Sequence, residues 1–345
     1  MKPYLNYLIH KKWLQTLVMA IIPTLIMVFI LSSTGFRRFT SGGYKDPDEL
    51  LVSIIFMMIV MIVIVIFRFS SLRNPKEVDL YYALPMSRQK LFLTHFVYGL
   101  LQIVFVWTVL YFSSFLTLTL LTQGGYQEGW LFLIYFIVLF YLVVLYSVYT
   151  FIFLRANTIF DGIAFIILFQ ILFLFVSLLF TGRLFMYEPV FNEPFFLNPY
   201  FSVSGLSIYL ARLSNGIESY QHSRFILSVP YIIINSVIYL LLAGLLSYYQ
   251  YRHVDEMRTE NIGQLSSSKL GYRFYIPAIL ITSIPNIFFL GSGITYVLII
   301  ILISAGFIGS FIYKRGLKIT WVDAGYVLIP TLVGMMLGLL MNGLH

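Results

Sequence analysis

Along this chain the apolar residues neither alternate nor recur at helical spacing between polar ones. They fall in blocks of 17 or more, separated by polar stretches. A helix rises ~1.5 Å per residue, so each block can cross ~30 Å of hydrocarbon. The blocks lie at about 13–32, 51–69, 95–121, 130–154, 162–180, 229–249, 274–290, 294–313 and 325–343. This pattern predicts an all-α, polytopic helical membrane protein with about nine transmembrane helices. The two-residue alternation of a transmembrane barrel is missing. Pro277 and Pro285 interrupt the seventh block, whose expected form is kinked, re-entrant or half-spanning. The first block is too long for a signal-peptide core and no clean small-x-small site follows it, so a cleaved signal is not expected.

Composition agrees with the pattern: 60% of the residues are hydrophobic and only 10% charged, against about 25% charged in a soluble domain. The net charge of +8 matters through its placement. Of the 22 Lys and Arg residues, nine spans with the N-terminus inside put six outside (Arg37, Arg38, Lys45, Arg183, Arg212, Arg224) and the other 16 inside. That asymmetry follows the positive-inside rule and predicts a multi-pass plasma-membrane protein with a cytoplasmic N-terminus. The first dozen residues mix Tyr4, Leu5, Tyr7, Leu8 and Ile9 with Lys2, His10, Lys11 and Lys12. They fit a short interfacial helix before the first span, or a generic anchor. The largest outer loop, 181–228, holds Phe185, Tyr187, Phe191, Phe195, Phe196, Tyr200 and Phe201 between prolines. It reads either as an aromatic belt at headgroup level or as a gate on a translocation path.

Several chemistries are absent. No Gly-x-x-x-x-Gly-Lys-Ser/Thr loop occurs, so no P-loop nucleotide site is expected on this chain. There is no cysteine, no metal-ligand spacing among the five histidines, and no Gly-x-Ser-x-Gly. Asp161, Asp323 and His95 sit at span ends, where snorkelling or capping accounts for them. The spans hold hydroxyls and small residues instead, such as Ser113, Ser114, Thr117, Gly334 and Gly338, which suit helix packing as well as a pore lining. With almost no ionisable groups at mid-membrane, ion-coupled transport is not expected, and energy for any active process must come from another chain.

One polar stretch, 73–92, has its own design. Asn74, Pro75 and Glu77 form a helix start with a capping box. Val78, Tyr81 and Tyr82 then share one face. Leu84–Pro85 ends that helix, and Ser87 caps a second one that runs through Arg88, Lys90 and Leu91 into the third span. Glu77 and Asp79 stand beside the basic Lys76, Arg88 and Lys90. An interfacial helix on lipid headgroups fits this stretch, and so does a docking helix for a soluble subunit, although the acidic pair suits an anionic leaflet poorly.

The string LPMSRQKLFLTHFVYG (Leu84–Gly99), with Asp79–Leu80 before it, resembles a pattern found after the second span of permease subunits of bacterial ATP-binding-cassette (ABC) transporters of the type-2 exporter class. YYQYRHVDEM (Tyr248–Met257) is similar, more weakly, to the turn after their sixth span. The resemblance covers roughly residues 1–257. It implies a six-span exporter-like core with a coupling region at 69–92 and a large outer loop at 181–228; the length and aromatic content of that loop, and the three further apolar blocks within 258–345, depart from the family's pattern. It further implies that Glu77, Val78, Asp79, Tyr81, Tyr82, Leu84, Pro85, Ser87, Arg88 and Lys90 meet an ABC ATPase subunit. The chain itself would then be no enzyme and hold no cofactor, with ATP and magnesium on the partner. A second permease subunit, identical or paralogous, and membrane lipid are the other partners expected, and nucleic acid is not. The expected activity is ATP-driven export of an amphipathic or hydrophobic cargo such as a peptide, lipid-like compound or antibiotic. A non-transporting membrane scaffold or sensor partner is the alternative, and a lipid-modifying enzyme a third, disfavoured by the lack of a polar catalytic cluster.

Overall fold

A computed structural model describes residues 2–41, 48–74, 83, 85–122, 128–182, 229–255, 262, 264, 271–288, 292–314 and 320–343. Among these residues the secondary structure is entirely helical. The helices are α1 (Lys2–Ser41), α2 (Asp48–Phe69) with a 3-10 turn at Ser70–Leu72, α3 (Arg88–Thr122), α4 (Glu128–Leu154), α5 (Ile159–Gly182), α6 (Val229–His253), α7 (Tyr272–Ile287), α8 (Ser292–Lys314) and α9 (Trp321–Gly343). Each apolar block of the sequence coincides with one of them. By length and composition, five of the described helical stretches can cross a membrane: those in α1, α3, α4, α5 and α9. Shorter apolar stretches lie in α2 and α8.

The chain forms two compact units, interleaved in sequence. Residues 1–151 and 207–259 make the first, and residues 152–206 and 260–345 the second. In the first unit α3 packs along α1 and α2 and also touches α6. α1 turns Leu8, Ala20, Met27 and Leu31 inward and leaves Leu14, Leu25 and Phe29 exposed. Apolar side chains all round a helix are what a bilayer solvent permits. The core is aromatic. Trp107 is fully buried, stacks on Tyr135, and donates its ring N–H to the Tyr135 carbonyl at 3.2 Å. Tyr141, Tyr146 and Tyr149 of α4 are buried as well.

The interfacial helix expected over the first dozen residues is not a separate element. Lys2–Ser41 is one continuous helix, because nothing between the basic start and the first span breaks helical geometry. Pro23 lies inside it, as spanning helices tolerate.

In the second unit α7 packs against α5, α8 and α9. Leu280, Ile284, Ile287, Ile299 and Val327 form its core. Neither proline breaks α7. Each proline removes one N–H bond to the carbonyl four residues earlier, a loss that membrane-type helices tolerate. At 16 residues the helix is about 24 Å long, short of the ~30 Å hydrocarbon thickness. Asn286 pins it to α5 by donating to the Phe175 carbonyl at 3.0 Å. Gly334 and Gly338 of α9 serve packing: a Cβ on Gly334 would meet the Leu280 carbonyl at 3.1 Å, and one on Gly338 would meet the Phe288 ring at 2.6 Å.

Candidate functional site

The polar stretch after α2 is described at its two ends. The 3-10 turn closes with Arg73 N–H donating to the Ser70 carbonyl at 2.9 Å. Glu77, Val78, Asp79, Tyr81, Tyr82 and Leu84 lie outside the described residues, as does the outer loop from 183 to 228. Beyond them α3 begins at Arg88. The Ser87 carbonyl accepts the Leu91 N–H at 3.0 Å, and its hydroxyl faces the Lys90 N–H at 3.4 Å. A serine in this position meets one of the orphan donors of a helix start. Pro85, Ser87 and Lys90 are exposed and Arg88 is half-buried.

Arg88 reaches across the first unit. Its guanidinium donates to the Asp255 carbonyl, 167 residues away, at 3.4 Å. Asp255 follows the end of α6, where Arg252 Nε bonds the Tyr248 hydroxyl at 3.0 Å and the His253 ring stacks on Tyr249. The two stretches that carry the family resemblance, 84–99 and 248–257, therefore meet at one end of one unit.

Beneath this surface lies a buried polar cluster that span-by-span reading of the sequence did not assemble. Arg68, on the last turn of α2, is 1% exposed. Its guanidinium lies over the Tyr98 ring of α3, 4.4 Å from the centroid, and donates to Gln15 Oε1 of α1 at 3.0 Å. A buried guanidinium needs such partners, because leaving a charge in apolar surroundings is strongly unfavourable. Gln102 Nε2 donates to Thr16 Oγ1 at 2.6 Å, and the Thr16 and Tyr98 hydroxyls are 3.1 Å apart. α1, α2 and α3 are thus bound by polar contacts as well as apolar ones. A signal was present in the sequence: His95, Tyr98 and Gln102 follow one another at helical spacing, as do Lys12, Gln15 and Thr16.

His95 departs from the expectation of snorkelling or capping. It is fully buried, with its ring edge-on to Tyr4 at 6.0 Å. The continuous α1 carries Tyr4 back over α3 and closes His95 off. The two aspartates behave as span-end residues. Asp161, in the first turn of α5, accepts from the Tyr272 hydroxyl at 3.0 Å. Asp323 accepts from the Thr320 N–H at 2.8 Å and pairs with Lys314 at 2.5 Å, a capping arrangement favoured by the helix dipole. The hydroxyls of α3 largely turn back on their own helix. Thr108 donates to the Val104 carbonyl at 2.6 Å and Thr117 to that of Ser113 at 2.8 Å.

An open groove of about 250 Å³ runs along the seam of α1 and α3. Its open surface is apolar, from Ile9, Trp13, Leu17, Leu101 and Phe105; Thr16, Tyr98 and Gln102 also border it, with hardly any polar surface open to it. Comparison of the chain with protein-family models, curated proteins and solved structures finds no match.

Proposed function

We propose that this chain is the membrane-spanning permease subunit of an ABC exporter. It would have nine spans and a cytoplasmic N-terminus in the plasma membrane, and would be driven by a separate ATPase. The observation that carries this reading is the Arg88–Asp255 contact. It brings together the two stretches whose sequences resemble the type-2 exporter class, at the end of the unit where an ATPase would dock. Pro85, Ser87 and Lys90 present an exposed polar edge there, and α3 leads from that edge into the aromatic core around Trp107. A push on the start of α3 would pass along a rigid helix held to α1 and α2 by the Arg68 cluster. The aromatic, largely uncharged interior of the unit suits an amphipathic or hydrophobic cargo, moved between this subunit and a second permease.

The test begins with whether an ABC ATPase gene adjoins this one, and proceeds to co-purification with such an ATPase, together with ATPase stimulation in proteoliposomes. Arg88→Glu with Lys90→Glu, and separately deletion of residues 78–82, are expected to abolish both readouts while the chain still inserts. Binding and stimulation unchanged by both alterations would overturn the coupling reading. Binding without any stimulation in the unaltered chain would favour the scaffold alternative.

A further inference from the structure

The groove between α1 and α3 runs from Ile9 to Leu17 on one helix and from Tyr98 to Phe105 on the other. Eight residues of helix rise about 12 Å, close to the ~15 Å that one leaflet contributes to a ~30 Å hydrocarbon core. The groove thus has the depth of one leaflet rather than of the whole membrane. Its open surface is apolar, and Trp13, Leu101 and Phe105 along it stand half-exposed. An apolar trough of this length takes an extended alkyl chain, which loses nothing by leaving the bilayer for it and gains close packing.

The end of the groove at Ile9 is basic. Lys2, Asn6, Ile9 and Trp13 follow one another at helical spacing, so the face of α1 that walls the groove continues into exposed Lys2 and Asn6 at the helix start. Half-buried Lys12 stands one turn before Thr16, at the groove's edge. Lys11 is on the opposite face, donating to the Tyr7 hydroxyl at 2.8 Å. No acidic residue of the same helix offsets these charges, since Lys2–Ser41 contains neither Asp nor Glu. An apolar trough with a basic end suits an occupant that is anionic at one end and apolar along its length. We propose that the groove holds one acyl chain of an anionic phospholipid. The chain lies against Trp13, Leu17, Leu101 and Phe105, and the phosphate is met by Lys2 and Lys12. The second chain stays in the bilayer, onto which the groove opens. This site is independent of the transport reading.

The experiment uses the full chain with Trp130→Phe and Trp321→Phe, reconstituted in phosphatidylcholine vesicles. Trp107 is kept because it is fully buried, so Trp13 is the tryptophan that reports on the groove. Quenching is followed as brominated phosphatidylglycerol is added, and compared with brominated phosphatidylcholine of the same chains. The anionic lipid is expected to reach half-effect at a mole fraction about fivefold lower, the contribution of one basic residue near the headgroups. Lys2→Gln with Lys12→Gln should bring the two lipids close to equality, whereas Lys11→Gln should leave the preference in place. Leu17→Phe with Leu101→Phe fills the groove and should remove the preference with the lysines intact. Equal quenching by the two lipids before any of these changes would overturn the proposal by showing an ordinary lipid annulus. A preference that survives the filled groove or the loss of Lys2 and Lys12, or that falls as far with Lys11→Gln, would overturn it by showing a general surface attraction. No quenching by either lipid would overturn it by showing the groove covered, as by a second copy of the chain. The lysine variants leave the groove walls untouched, so they decide the matter even if the filled variant fails to insert.

Discussion

Gly99 lies in the middle of α3, where a glycine weakens a helix by about 1 kcal/mol relative to alanine. Propensity alone predicts that Gly99→Ala stabilises the protein. The tertiary structure predicts the reverse. A Cβ at this position would stand 2.0 Å from the Tyr146 hydroxyl oxygen and 2.7 Å from its Cζ, where ordinary contact begins at 3.4 Å. The ring would have to retreat by more than an ångström. Tyr146 is completely buried, packs tilted against the Phe96 ring with centroids 5.1 Å apart, and donates to the Phe96 carbonyl at 3.2 Å. Overpacking of this kind costs about 2 kcal/mol, and disturbing the buried hydrogen bond costs about 2 more. Less the helix gain, Gly99→Ala is expected to destabilise by about 3 kcal/mol. Tyr146→Phe removes the atom at 2.0 Å and by itself should cost about 1 kcal/mol. The double variant should therefore be clearly more stable than the sum of the two, with a coupling energy of about 1–2 kcal/mol. Equilibrium unfolding of the purified chain in mixed micelles of dodecyl maltoside and rising dodecyl sulfate, followed by fluorescence, measures all four corners of the cycle. An alanine variant as stable as the parent, or strict additivity in the cycle, would refute the close approach of α3 and α4.

The same reasoning separates two glycines of α9. Gly338→Ala drives a Cβ to 2.6 Å from the Phe288 ring, whereas at Gly325 the nearest atom is Ile329 Cδ1 at 3.8 Å; the first substitution should lower stability by about 1–3 kcal/mol and the second should be neutral or raise it by up to about 1 kcal/mol, in the same unfolding assay. Arg68→Ala removes the contacts with Tyr98 and Gln15 and should cost about 2–4 kcal/mol. Arg68→Lys should recover little of that, since an ammonium cannot stack as a planar guanidinium does; full recovery by lysine would show that only the charge matters. Nine spans with a cytoplasmic N-terminus place His345 outside the cell, so an epitope appended there should be labelled on intact cells, and labelling only after permeabilisation would rule out that count.

Helix identity was legible in the sequence because it depends on local composition: the apolar runs were long enough that no other element could bury them. The turn at Ser87 was legible for the same reason, since a cap is a relation among neighbouring residues. Arg68 shows where this kind of reading stops. In the sequence it is one of many basic residues at the end of a span, and its charge serves only to assign a side. Its burial depends on Tyr98 and Gln15 arriving from two other helices.

What the sequence determined by itself was therefore the class: helices, apolar all round, in blocks of membrane length, with polar stretches between them. Only the tertiary structure decided which side chains share a site. It joined Arg88 to the turn after α6, bound Tyr98 and Gln102 of α3 to Thr16 of α1, and set Gly99 against Tyr146. It also divided the chain into two units whose segments alternate in sequence. The physical reason is that helix formation is local: each apolar run satisfies its own backbone groups independently of the others. Contacts between helices are decided by shape and hydrogen-bond arithmetic among residues far apart in the chain, and neither can be evaluated until the partners stand side by side.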